Sequence, residues 1–265
     1  ELPEPRQAHI LLRGNWETPG EKVDPGTPSW LPPMPAGAPR NRLGLAQWMK
    51  DPSNPLTARV VVNRYWEKYF GTGLVKSTDN FGSQGDQPSH PELLDWLAID
   101  FVESGWNVKR LLKQIVMSAT YGQSSRVTSE KLAADPENRL LWRKSPVRLD
   151  AESLRDAVLA VSGKLNPKMG GPGFRDVSIT PNNGTTYYEP IYPQGDEFNR
   201  RTVYRFSPRG GRSAILDTFD CPDPSTTAPR RGVTTTPLQA LALFNNEFIL
   251  NKARAMADRV RVLEK

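Results

Sequence analysis

Seven arginines fall in one glycine- and proline-rich stretch: Arg200, Arg201, Arg205, Arg209, Arg212, Arg230 and Arg231. Tyr187, Tyr188, Tyr192, Tyr204 and Phe206 are interleaved with them. Guanidinium forks pair with carboxylate, sulfate or phosphate, and aromatic faces stack on sugar rings or bases. Converging loops of this kind would make a groove for an anionic polymer. The alternative is that the arginines hold long loops down by bonding carbonyls and helix ends.

Acid–base chemistry has fewer candidates. Glu152 and Asp156 are four apart and share one face of a predicted helix, an arrangement in which two carboxylates can divide acid and base roles. The competing expectation is an ion pair of Glu152 with Arg148, with Arg155 paired elsewhere. The chain has only two histidines, and the usual proton shuttle is therefore scarce. Of these, His90 lies at the start of a predicted helix, where it can pack, bond Asp86 or act chemically. Asp217, Asp220 and Asp223 recur every third residue, and Asp79, Asn80 and Asp86 form a second oxygen-rich loop. Calcium would want more oxygens in a tighter loop, and turn capping by Asp and Asn is the simpler expectation. No paired Cys/His spacing suggests zinc, and neither a nucleophile elbow, a dinucleotide fingerprint nor a phosphate loop is present. Cys221 is the single cysteine and has no partner for an internal disulfide.

The elements that would position these groups read as mainly α. Asn41 predicts an N-cap for a helix through Lys50, and Asn54-Pro55 opens one that runs through Phe70 to Gly71. Ser89-His90-Pro91-Glu92 matches a capping box, with Leu93, Leu94, Leu97, Ala98, Phe101 and Val102 striped behind it. Asn107 caps the next predicted helix, and Asp135-Pro136 opens a short one carrying Leu140 to Trp142. Arg148 to Ser162 reads as a helix with Leu154, Ala157, Val158 and Val161 inward, closed by Gly163. Thr236-Pro237-Leu238-Gln239 is a second capping box, and a helical pattern follows to the C-terminus, broken near Asn245-Asn246.

Two regions depart from that pattern. Residues 1–40 are rich in Pro and Gly and read as an arm packed on the body through Trp16, Val23, Trp30 and Leu31, with a short strand near His9 to Arg13. Residues 166–235 read as an irregular loop and short-strand insertion, with strands at Thr185–Tyr188 and Thr202–Phe206. The expected organisation is an arm, 1–40, and one mostly helical domain, 41–265.

Composition bounds the partners. A hydrophobic share of 37% suits a packed chain rather than a disordered one. No run approaches the roughly 18 apolar residues of a membrane span. Net charge is +6, with basic and acidic residues mixed along the chain, which favours anionic partners without marking nucleic acid. The first residues carry no Met and no signal-peptide apolar region, and suggest a piece of a longer or processed protein.

Several separated motifs agree in order: Asn54-Pro55-Leu56-Thr57-Ala58-Arg59-Val60, Asn63-Arg64-Tyr65-Trp66, Phe70-Gly71-Thr72-Gly73-Leu74-Val75, and Asp79-Asn80-Phe81-Gly82. Pro88-Ser89-His90-Pro91-Glu92-Leu93-Leu94-Asp95-Trp96-Leu97 follows, then Ser104-Gly105-Trp106-Asn107, Ser118-Ala119-Thr120-Tyr121 and Asp135-Pro136-Glu137-Asn138-Arg139. Arg148-Leu149-Asp150-Ala151-Glu152-Ser153-Leu154-Arg155-Asp156 and Thr234-Thr235-Thr236-Pro237-Leu238-Gln239 complete the series. Together they resemble the planctomycete-type C-terminal domain of unknown function that accompanies cytochrome c-type haem domains in large exported proteins. The resemblance implies export to the periplasm or cell surface, and other domains of the parent protein as partners. It implies no activity. No Cys-x-x-Cys-His is present, so no cofactor is expected in this chain, and haem c would belong to the parent protein outside it. The expected function is a non-catalytic structural or interaction module. The alternatives are an anionic polysaccharide-binding module and a carboxylate-dependent hydrolase, and nucleic acid is disfavoured because export separates the domain from it.

Overall fold

The computed structural model describes residues 6–193, 195–228 and 230–263. Residues 1–5, 264 and 265, at the two ends of the predicted arm and C-terminal helical pattern, lie outside the described residues. The chain is mainly α-helical, with nine α-helices and two two-stranded sheets among the described residues. It divides into two compact units, residues 1–145 and 146–265. No described helix is long and apolar enough to cross a membrane.

The first unit begins with a hairpin of β1 (Ala8–Leu11) and β2 (Pro19–Val23). Trp16 and Trp30 are 78% and 75% exposed and do not pack as expected. The arm is fastened instead through Pro32, whose carbonyl accepts from Trp48 Nε1 at 2.7 Å. Trp48 lies on α1 (Arg42–Lys50), capped by Asn41 as its sequence predicts. In α2 (Thr57–Phe70) the helix starts later than expected, and Asn54 Oδ1 accepts from Leu56 N and Thr57 N in the turn before it.

Helices α2, α3 (Pro91–Glu103) and α4 (Val108–Val116) enclose one core: Val62, Trp66, Phe70, Leu74, Val75, Leu94, Leu97, Phe101, Leu111 and Ile115. Burying each large side chain stabilises the fold by roughly 1.5–3 kcal/mol. Asn63 sits within this core at 0% exposure, yet its amide is satisfied. Its Nδ2 donates to Val75 O at 3.0 Å and its Oδ1 accepts from Val75 N at 2.8 Å. Gly73 allows that approach, since a Cβ there would stand 2.6 Å from Asn63 Nδ2. The Asn63 and Gly71–Val75 motifs are thus one device that returns the chain onto α2.

Two predicted features of this unit form differently. The Ser89 capping box is absent: His90 is the N-cap without a side-chain cap bond, and Ser89 Oγ instead lies 3.0 Å from His90 Nδ1. A single donor–acceptor hydroxyl next to a ring nitrogen takes the ring as its partner. Asp135-Pro136 ends a helix rather than opening one, because α5 (Ser129–Ala134) precedes it. The Asp135 carboxylate accepts from Arg139 N and Leu140 N, stabilising turns that place Asn138 and Leu141 at positive φ.

The second unit starts with α6 (Ala151–Val161), capped by Asp150 Oδ1 accepting from Ser153 N at 2.8 Å. Its fully buried residues are Ala151, Arg155 and Leu159; of the predicted inward stripe, Leu154 packs against the Ala151 cluster, Ala157 and Val158 are half-buried, and Val161 is exposed. Strands β3 (Val177–Asn182) and β4 (Thr185–Pro190) pair antiparallel. Asn183 and Gly184, at φ 46° and 77°, supply the left-handed turn such a hairpin favours. The predicted strand at Thr202–Phe206 is a 3₁₀ turn, Thr202–Tyr204, with one isolated bridge from Arg205 to Phe174. Helix α7 (Ala214–Thr218) precedes α8 (Pro237–Asn245), where Thr236 and Gln239 form the complete capping box. Asn246 separates α8 from α9 (Glu247–Leu263), as the sequence suggests.

Candidate functional site

Arg155 organises the second unit. It follows Ala151 by four residues on α6, so helical period carries it into the buried face. Its Nη1 donates to Arg200 O at 3.0 Å and to Thr202 Oγ1 at 3.3 Å, and its Nη2 to Phe198 O at 2.9 Å. The guanidinium carbon lies 5.3 Å from the ring centres of both Phe174 and Phe248. One side chain therefore fixes the 198–202 segment on α6 and α9.

The predicted arginine groove does not form as one surface. Arg200 turns inward, with Nη1 donating to Pro172 O and Nη2 to Lys168 O and Gly170 O, while it stacks 3.8 Å from the Tyr204 ring centre. The Tyr204 hydroxyl accepts from Gly170 N at 2.7 Å. These two residues hold a loop, which is the structural alternative anticipated for the set. Arg201 is exposed and stands 3.5 Å from Asp156 Oδ2. Arg209 and Arg230 are exposed, as is Tyr187 on β4, while Tyr188 packs beside Gly211. Arg231 clasps Glu152 with bonds of 2.6 and 2.8 Å.

The candidate acids are engaged as well. The Arg231 bond holds the Glu152 carboxyl below its ordinary value near 4.5 against the opposing effect of burial, whereas a general acid needs the reverse shift. Arg148, the expected partner, reaches Thr234 O and, at 3.0 Å, Gln239 Oε1. Asp156 Oδ1 accepts from Thr202 N and Oγ1 at 2.7 and 2.6 Å. Cys221 Sγ lies 3.8 Å from Glu152 Oε1, and burial first, then that carboxylate, push the thiol up to about 11. His90 belongs to residues 1–145 and is paired locally with Ser89.

The three spaced aspartates are each engaged by protein groups, with Arg212 reaching both Asp217 and, at 3.9 Å, Asp223. Asp217 meets Arg212 at 2.9 Å, and Asp223 accepts from Ser225 N and Oγ. Asp220 accepts from Thr234 N and Oγ1 at 2.8 Å, with Gln239 Nε2 at 3.4 Å. Asn80, in the other acidic loop, caps Gly82 N. Among the described residues no group of three His, Cys, Asp or Glu side chains is placed to hold a metal ion.

Two of the seven arginines, Arg205 and Arg212, do come together, in a cleft of about 110 Å³ with Arg155 and Lys252. Phe174, Phe198 and Phe248 supply aromatic wall, the loop after β4 brings Ile191 and Tyr192, and among the described residues Asp176 is the sole acid lining it. Arg205 Nε bonds Asp176 Oδ2 at 2.7 Å. Lys252 Nζ donates to Asn199 Oδ1 at 2.7 Å, and burial, followed by Arg155 and Lys164, lowers its pKa from 10.5. Four cations sharing a small wall with aromatic rings favour an oxyanion with an apolar or sugar-like body.

Sequence reasoning missed Arg155, Asp176 and Lys252. For Arg155 a signal existed, since an arginine at the middle of an Ala151–Arg155–Leu159 apolar spacing marks a charge bound for the interior. Asp176 and Lys252 carry no such mark. No curated protein and no solved structure matches the chain. Over residues 41–265 it matches PSD1, described as a protein of unknown function (DUF1553), and the chain belongs to that family.

Proposed function

We propose that the chain is a non-catalytic interaction module whose cleft binds an anionic glycan. The carrying observation is the gathering of Arg155, Arg205, Arg212 and Lys252 around one small cavity with Asp176 as its only lining acid among the described residues. Aromatic wall beside those cations suits a sugar face next to a charged substituent. A non-catalytic role is supported by the state of the acids: Glu152 is clasped by Arg231 and Asp156 by Thr202, and neither lines the cleft. A carboxylate-dependent hydrolase gains nothing from that arrangement. Placement in an exported, cytochrome c-associated protein, with the parent's other domains as partners, comes into this proposal from the motif resemblance alone.

Binding of the 265-residue chain to uronic and sulfated polysaccharides, measured by calorimetry across ionic strength, tests it. The expected result is binding that weakens as salt rises, because screening acts on charge-mediated contacts. Arg212→Ser should weaken binding by about tenfold, the scale of one charge-assisted bond. Absence of binding to any such polymer at low salt would overturn the proposal.

A further inference from the structure

Four buried side-chain polar atoms have no hydrogen-bond partner among the described residues: Gln114 Oε1, Arg143 Nε, Asp176 Oδ1 and Arg200 Nε. Of these residues only Asp176 lines the cleft. A buried carboxylate oxygen without a donor is costlier than a neutral group left the same way. Its other oxygen, Oδ2, accepts from Arg205 Nε at 2.7 Å. The Arg205 side chain is only 6% exposed and lines the same cleft, and no described residue accepts from its two terminal nitrogens. The pair is therefore half used, with an acceptor and several donors still open.

These open groups lie within reach of one ligand. The two oxygens share one carbon and the three nitrogens another, so the 2.7 Å contact keeps Oδ1 within roughly 7 Å of either terminal nitrogen. Two hydroxyls on adjacent sugar carbons, with a hydrogen bond of about 2.8 Å at each end, span up to roughly 8 Å. The Asp176 side chain is 25% exposed, and the χ2 torsion of an aspartate is broad, so a small turn presents Oδ1 to the cleft. A hydroxyl donates as well as accepts and can serve both groups. A bare carboxylate or sulfate has no proton for Asp176 and meets it as a like charge.

We infer that Asp176 and Arg205 are the specificity-determining pair of the cleft and read adjacent hydroxyls of a sugar. One hydroxyl donates to Asp176 Oδ1, and its neighbour accepts from a terminal nitrogen of Arg205. This rests on the glycan-binding proposal above and adds that charge alone does not satisfy the site.

The test is calorimetry on the full chain with polymers that keep their charge and lose their hydroxyls. Polygalacturonate and chondroitin sulfate are each compared with their O-methyl ethers, whose carboxylates and sulfates are intact, and polyacrylate serves as an anion without hydroxyls. The expected result is that at least one native polymer binds about tenfold or more tighter than its methyl ether, a difference of about 1.4 kcal/mol. Asp176→Asn should bring that ratio close to one. It should leave polyacrylate binding equal or tighter, because the cleft loses a negative charge.

Native polymers and methyl ethers that bind equally well overturn the inference and leave the broader proposal standing. So does a ratio unchanged in Asp176→Asn. Loss of every polymer in a variant that circular dichroism shows to be folded makes Asp176 a mere tie for Arg205, which also overturns it. If Asp176→Asn fails to fold, the methyl ethers decide alone. If neither polysaccharide binds at low salt, both proposals fall.

Discussion

In residues 1–145 the buried apolar side chains from Val62 to Ile115 make one continuous cluster, with the Asn63–Val75 pair as a satisfied polar tie inside it. In residues 146–265 the corresponding cluster is Ala151, Leu216 and Phe219. Around it the backbone is held by guanidinium groups: Arg155 on the 198–202 segment, Arg200 on the 168–172 loop, and Arg231 on Glu152. Apolar burial is non-directional and tolerates inexact geometry, whereas hydrogen bonds to buried carbonyls fix positions and are costly when broken. The second unit therefore spends polar groups on precision, and it is there that the cleft lies.

The largest expected effect strikes the apolar side of this contrast. Phe101→Ala should destabilise the first unit by about 3–5 kcal/mol, through lost burial and the cavity left behind. Urea unfolding followed by hydrogen exchange of α2–α4 would measure it. Phe219→Ala in the second unit should cost less, and an equal or larger loss would break the comparison.

A smaller effect probes the arginine side. Arg155→Lys keeps the charge but removes the fork that reaches the Arg200 and Phe198 carbonyls. It should cost about 2–3 kcal/mol, because a lysine cannot span the acceptors and leaves a buried carbonyl unpaired. Loss of exchange protection at residues 198–202, with α2–α4 unaffected, is the expected signature. Rescue by lysine would show that charge, not geometry, holds the segment.

The smallest effect concerns pH. Because Arg231 depresses the Glu152 carboxyl in the folded protein, its contribution is fully present above about 4.5 and is lost as pH falls through the lower folded value. Glu152→Gln should reduce stability at pH 7 and flatten the stability loss below pH 4.5 in urea titrations. An unchanged pH profile would place the Glu152–Arg231 pair among surface pairs that contribute nothing measurable.

Much of the fold was legible along the chain because its signals are local. Asn41, Asn107, Asp150 and the Thr236–Gln239 box each bond an amide within three residues, and Gly71 and Gly163 adopt the left-handed ends that stop α2 and α6. Such features need no knowledge of the rest of the molecule. Where local options competed, the reading failed: Ser89 turned to His90, and Asp135 bonded the amides after it. The candidate site was legible only in part, for Arg205 and Arg212, since composition locates arginines without saying which way they point.

Residue types and short-range spacing by themselves determined that this chain is a capped helical protein with an arginine-rich irregular region. Only tertiary structure decided which arginines became internal ties and which reached a cleft. The partners that settle the matter lie far away in sequence, with Arg155 bonding residues 43 to 47 positions on and Arg231 pairing with Glu152 across 79. A side chain of five donors donates to any carbonyl or carboxylate brought within reach, so its role depends on where folding leaves the acceptors.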